Sequence, residues 1–133
     1  MRVLLDTNVL VSAFATRGLC ADVFRLAAAE HEVICAEVVL DKLQRVLTER
    51  FHLPAGTVSD ITALLRSFEF VPKPRGLPKI KVRDEDDAWV LASALTGRAD
   101  ILVTGDRDLL VLGDVAAMRI LDPRGFWSLV KTA

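Results

Sequence analysis

The chain has only two cysteines, Cys20 and Cys35, and no close CxxC pair. A disulfide framework or a cysteine-held zinc site is unsupported, and both thiols are expected as reduced packing residues, because free cysteine behaves as a small hydrophobe. No apolar run approaches the ~20 residues needed to span a bilayer. The apolar start Val3–Leu5 is interrupted at once by Asp6, unlike the core of a signal peptide, so the cytoplasm is the expected compartment. Net charge is nearly absent, −1 over 133 residues. No global field draws such a protein to nucleic acid, and any binding of that kind must use a local basic patch or metal ions. Repeats, low-complexity segments and an evident internal boundary are also missing. A single domain over residues 1–133 is expected. With 52% hydrophobic and 26% charged residues, the chain can bury a sizeable core, which disfavours disorder.

Hydrophobic patterning organises the rest. Arg2–Leu5, Glu32–Cys35, Ile101–Thr104 and Met118–Leu121 read as short buried strands, with a further short one at Phe70–Val71. Between them, Val9–Ala15, Leu19–Ala29, Ala36–Phe51, Thr57–Phe68, Asp84–Leu95 and Pro123–Val130 read as helices. The segment 72–83, rich in proline and in Lys73, Arg75, Lys79, Lys81 and Arg83, reads as a basic loop. Apolar strands alternating with helices predict an α/β fold: a mainly parallel central sheet between two helical layers.

In such folds ligands bind beyond the carboxyl ends of the strands. Asp6 follows the first strand directly, and Asp106 follows Ile101–Thr104 after one glycine. If those strands are neighbours, the two carboxylates share one sheet edge. Asp87 shares a helical face with Val90, Leu91 and Ala94, so it heads a stripe that must face inward. Asp84 lies one turn earlier. Converging carboxylates repel: a pair ~4 Å apart costs on the order of 4 kcal/mol at an effective dielectric near 20. Protonation or a bound cation relieves this, and hard oxygen ligands suit Mg²⁺ or Mn²⁺. Such an ion assists phosphodiester hydrolysis.

Structural roles stand beside these. Asp84 has the spacing of a helix cap, with Asp87 an acid of the first turn. Asp108 suits a turn or cap, Asp6 a turn, and Trp89 a partly buried packing residue. An aspartyl nucleophile at Asp6, as in haloacid-dehalogenase-type phosphoryl transfer, would call for a second aspartate two positions on, where this chain has Asn8.

Leu4-Leu-Asp6-Thr-Asn8, Asp84-Glu-Asp-Asp87-Ala-Trp-Val-Leu-Ala92 and Val103-Thr-Gly-Asp106-Arg-Asp-Leu-Leu110, in that order, resemble the three acidic motifs of PIN domains. The tail Leu121-Asp-Pro-Arg-Gly-Phe-Trp127 is similar to the VapC-like branch of toxin components of toxin–antitoxin systems. The resemblance implies a PIN-like α/β/α fold and a Mg²⁺- or Mn²⁺-dependent endoribonuclease that cuts RNA. It further implies an antitoxin protein as partner and a homodimer. Asp6, Asp87 and Asp106 match the metal-holding acids, and Asn8 and Thr104 the polar positions that orient acids, water or substrate; Asp84, one turn before Asp87 on the same helical face, is counted beside them as a fourth catalytic acid.

One motif departs from the family. Where PIN domains carry a pattern like Leu-Asp-Glu-Leu, this chain has Leu40-Asp41-Lys42-Leu43. By helical geometry Asp41 points nearly opposite the buried stripe and is a poor replacement for the glutamate. Lys42 is placed to pair with a carboxylate, to meet a substrate phosphate, or to lay its stem over apolar surface. The alternative function is therefore a PIN-like module that binds RNA or an antitoxin partner with weakened or no hydrolysis.

Overall fold

The computed structural model describes residues 1–132. Five strands, β1 (Arg2–Leu5), β2 (Glu32–Ala36), β3 (Glu69–Val71), β4 (Ile101–Val103) and β5 (Arg119–Leu121), form one sheet in the order β3-β2-β1-β4-β5. Every pairing is parallel. The helices are α1 (Thr7–Ala15), α2 (Leu19–Glu30), α3 (Glu37–Glu49), α4 (Ala55–Arg66), α5 (Glu85–Thr96), α6 (Arg107–Leu110) and α7 (Pro123–Thr132). The α/β class read from the sequence is the class observed. The sheet is parallel throughout rather than mainly so.

The patterning explains the layers. Val3, Leu4 and Leu5 are all buried, as are Ile101, Leu102 and Val103, because helices cover both faces of the two central strands. On α3 the inward stripe is Val39, Leu40, Leu43 and Leu47, while Val46 is only half-buried. Cys35 is buried, Cys20 is half-buried, and both are free thiols. The four-residue α6 was not expected as a helix, since one turn is too short to show a period. None of the helices among the described residues is long and apolar enough to cross a membrane.

Two features fix the frame on which the acids sit. The first is the β1–β4 pairing, which sets Leu5 opposite Val103 and continues one residue further, with Asp6 N donating to Val103 O at 2.9 Å. The second is the end of α5. A Cβ on Gly97 would lie 2.9 Å from Val71 Cγ2 and 3.2 Å from Ser93 O, so only glycine lets the helix end approach β3 this closely.

Candidate active site

The chain leaves β1 toward one flank of the sheet and β4 toward the other, so a crevice opens between their carboxyl ends. Asp6 ends β1 and caps α1, with Oδ1 accepting from Thr7 N at 2.7 Å. Its Oδ2 accepts from Thr104 Oγ1, also at 2.7 Å. Thr104 is itself fully buried, and its Oγ1 accepts in turn from Asp106 N at 3.0 Å. One hydroxyl thus ties the acid after β1 to the acid after β4. Asn8 forms a second tie: its Oδ1 accepts from Gly105 N at 3.0 Å, and its Nδ2 lies 3.5 Å from Asp6 Oδ2.

Asp106 caps α6, with Oδ1 accepting from Asp108 N at 2.9 Å. Asp84 caps α5, with Oδ1 accepting from Asp86 N at 2.8 Å. It is exposed and stands outside the lining of the crevice. A capping role therefore accounts for the placement of Asp6, Asp84 and Asp106. It does not account for Asp87. That residue is buried in the first turn of α5, and its Oδ2 has no hydrogen-bond partner. A buried acceptor left unpaired is costly.

Electrostatics single out the same group. The Asp87 carboxyl is pushed from 3.8 to about 7. Burial is the largest cause. Next comes Asp106, which favours the neutral form by sharing its proton and by its charge, followed by the like charges of Asp6 and Asp84. Burial also raises Asp6, opposed by its bonds from Thr104 and Thr7 and by the positive charge of Lys42. Single ligand atoms of Asp87, Asp106 and Asp108 lie within 4.8 Å of one another. Asp6 does not complete so tight a group. Asp108, read from sequence as a turn or cap residue, is thus a candidate ligand that pattern reasoning missed. The signal was its place two residues after Asp106 in a one-turn helix.

The crevice has a volume of about 490 Å³. Asp6, Asn8, Asp87 and Asp106 line it. From α3 come Asp41, Lys42, Arg45 and Val46, with Arg50 and Phe51 just past its end. Asp41 points away from the core, as the helical wheel has it, and still lines the crevice, which runs along the solvent flank of α3 rather than over its buried stripe. Lys42 Nζ stands 3.9 Å from Asp86 Oδ2. Of the five basic residues in the 72–83 loop, only Lys73 lines the crevice. The other cations of the crevice come from α3, as Lys42 and Arg45, and from its C-cap, Arg50. Trp89 is half-buried as expected and also lines the crevice.

A parallel α/β domain with carboxylates gathered where the strand order reverses belongs to the broad class that handles ligands at that edge. Comparison narrows the class. Residues 2–108 match the family model described as PIN domain, and the chain belongs to that family. Among solved structures it is similar to VapBC2 from Rickettsia felis bound to a DNA fragment from their promoter. The TM-score is 0.64 at 17% identity, covering 90% of this chain and 97% of that one. It is likewise similar to VapC20 from Mycobacterium tuberculosis, described as a sarcin-ricin loop cleaving toxin. Here the TM-score is 0.62 at 16% identity, covering 88% of this chain and 98% of that one. At such identities the likeness is one of fold. Comparison with curated protein sequences gives no significant match.

Proposed function

We propose that residues 1–133 act as one metal-dependent endoribonuclease domain, the toxin component of a toxin–antitoxin pair. The observation that carries this reading is the buried, unpartnered Asp87 Oδ2, set beside Asp106 and Asp108. Three carboxylates with one orphaned buried oxygen fit a hard divalent cation such as Mg²⁺ or Mn²⁺. Asp87 and Asp106 would hold it, with Asp108 or Asp6 completing the set. When bound, the ion would supply a water of lowered pKa and neutralise charge on a phosphodiester.

The remaining work falls to the chain's own groups. Thr104 Oγ1 fixes Asp6 and the Asp106 backbone in one geometry. Asn8 locks the turn after β4 to the start of α1. Asp84 holds the first turn of α5, and with it Asp87, in place. Lys42 and Arg45 line the same crevice, where they would contact phosphates of an RNA strand. The likeness in fold to VapBC2 and VapC20 supports the toxin role. By that analogy the chain pairs with an antitoxin protein, forms homodimers and works in the cytoplasm.

The test is cleavage of labelled RNA by the purified protein with Mg²⁺ or Mn²⁺. Cleavage is expected in the wild type and lost in Asp6→Asn. Equal cleavage by both proteins in EDTA overturns the proposal. A second reading, a module that binds RNA or an antitoxin without cutting, is favoured by one observation: the positive charge of Lys42 is felt at Asp6, where it competes with a cation. Under that reading the wild type is inert and Lys42→Glu creates metal binding or activity.

A further inference from the structure

Four cation–aromatic contacts occur among the described residues, and two of them line the crevice. Lys73 Nζ sits 4.4 Å from the centroid of the Trp89 ring. The Arg50 guanidinium carbon sits 6.0 Å from the centroid of Phe51. The other two, Arg66 over Phe70 and Lys131 over Trp127, are not in the crevice wall. Phe51 is 40% exposed, an apolar ring in a crevice that four cations, Lys42, Arg45, Arg50 and Lys73, also line. Neither ring is explained by packing alone.

We propose that Trp89 and Phe51 are stacking platforms for two unpaired nucleobases of the substrate, with Lys73 and Arg50 as the cations that pair with the adjoining phosphates. The reading rests on the nuclease assignment for its choice of RNA as ligand. Its support is geometric. Trp89 lies two residues after Asp87, at the acidic end. Lys42 is near Asp86. From Lys42 to Arg50 the helix rises about 12 Å at ~1.5 Å per residue. That is roughly two to four nucleotide steps, depending on how far the strand is stacked, at about 3.4 Å per stacked step. Both rings line the crevice that Asp6, Asp87 and Asp106 also line, so bases stacked on them would share one cavity with the carboxylates. A volume of about 490 Å³ is on the scale of a small-ligand pocket. It suits a short stretch of single strand.

A cation resting on a ring covers that face only weakly. The contact is worth only about 0.5–1 kcal/mol at an exposed site, so a base displaces it readily. Base–aromatic stacking is stronger and tolerates every base. The displaced ammonium or guanidinium stays on its tether, next to the phosphate of the base that replaced it.

The test uses full-length protein in EDTA, which separates binding from cleavage. Trp127→Phe leaves Trp89 as the only tryptophan. The probes are an eight-nucleotide single-stranded RNA, the same strand made abasic, and its duplex. Quenching of Trp89 emission is expected with the first and not with the other two. Trp89→Leu and Phe51→Leu should each weaken single-strand affinity about 5- to 150-fold without changing its salt dependence. Trp89→Phe should restore most of the loss. Lys73→Gln and Arg50→Gln should lower the salt slope by about 0.7 each, the share of one phosphate on a single strand. Equal affinity for abasic and intact strands overturns the proposal, as does unquenched Trp89 emission on binding. Stacking without any cleavage in Mn²⁺ would sink the nuclease assignment and leave this inference standing. Cleavage without stacking would do the reverse.

Discussion

Replacing Asp87 with asparagine should stabilise the protein when no divalent ion is present. Asparagine has the shape of the neutral carboxylic acid and keeps a donor toward Asp106. In the folded chain the Asp87 carboxyl titrates near 7, against 3.8 ordinarily. Between those values the folded state holds a proton that the unfolded state has released. Stability from this group is therefore full below about pH 4 and declines as pH rises toward 7, then stays low. The difference of about three units corresponds to roughly 4 kcal/mol at ~1.4 kcal/mol per unit. Salt screening and sharing of the proton with Asp106 reduce this, so a gain of on the order of 2–3 kcal/mol is expected for Asp87→Asn at pH 8. Urea unfolding in EDTA from pH 4.5 to 8.5 reads it directly. The two proteins should be nearly equal at the acid end and diverge steadily to about pH 7. Adding Mn²⁺ should then raise the wild-type midpoint more than the variant's, since binding to the folded state alone stabilises it. Parallel stability curves across the whole pH range would refute the claim that Asp87 is held under electrostatic strain.

Three further substitutions separate the roles of neighbouring groups. Thr104→Val should cost about 1–3 kcal/mol, because it leaves Asp6 Oδ2 and Asp106 N without their shared hydroxyl. Thr104→Ser should recover most of that in thermal melts. Asp84→Ala should lose about 1 kcal/mol through the missing cap, whereas Asp84→Ser should keep both stability and RNA cleavage. Abolished cleavage in a stable Asp84→Ser protein would instead place Asp84 in the chemistry. Gly97→Ala should destabilise by roughly 1–3 kcal/mol through overpacking against Val71, measured by chemical denaturation, with no change in metal affinity.

Much of the fold was legible because its strands are short and wholly apolar. Val3–Leu5 and Ile101–Val103 announce a doubly covered sheet, and the helices between them carry a clear period. Asp6 and Asp106 were legible for the same reason: each breaks off such a strand. Asp87 was legible from the stripe it heads. What pattern could not show was depth along a surface. The helical wheel placed Asp41 away from the core and correctly so, yet the crevice lies on that outer flank, which only the packing of α3 across from α1 and α5 creates. Arg45, Arg50 and Phe51 line the same crevice and were invisible for the same reason. Of the five basic residues in the 72–83 loop only Lys73 lines the crevice, so charge density along the sequence did not locate the other cations of the site. Asp108 was hidden by α6, a helix of a single turn.

The bond from Thr104 to Asp6 spans 98 positions of sequence. During synthesis β1 emerges first and waits, exposing apolar surface, until β4 has been made and can lie down beside it. Contacts of such separation form late, because the loop between them must be closed first. A nascent chain that has already folded its first three strands therefore has no finished acidic crevice. Whatever chemistry the crevice performs is withheld until β4 and the turn that carries Asp106 have been made, a delay written into strand order alone.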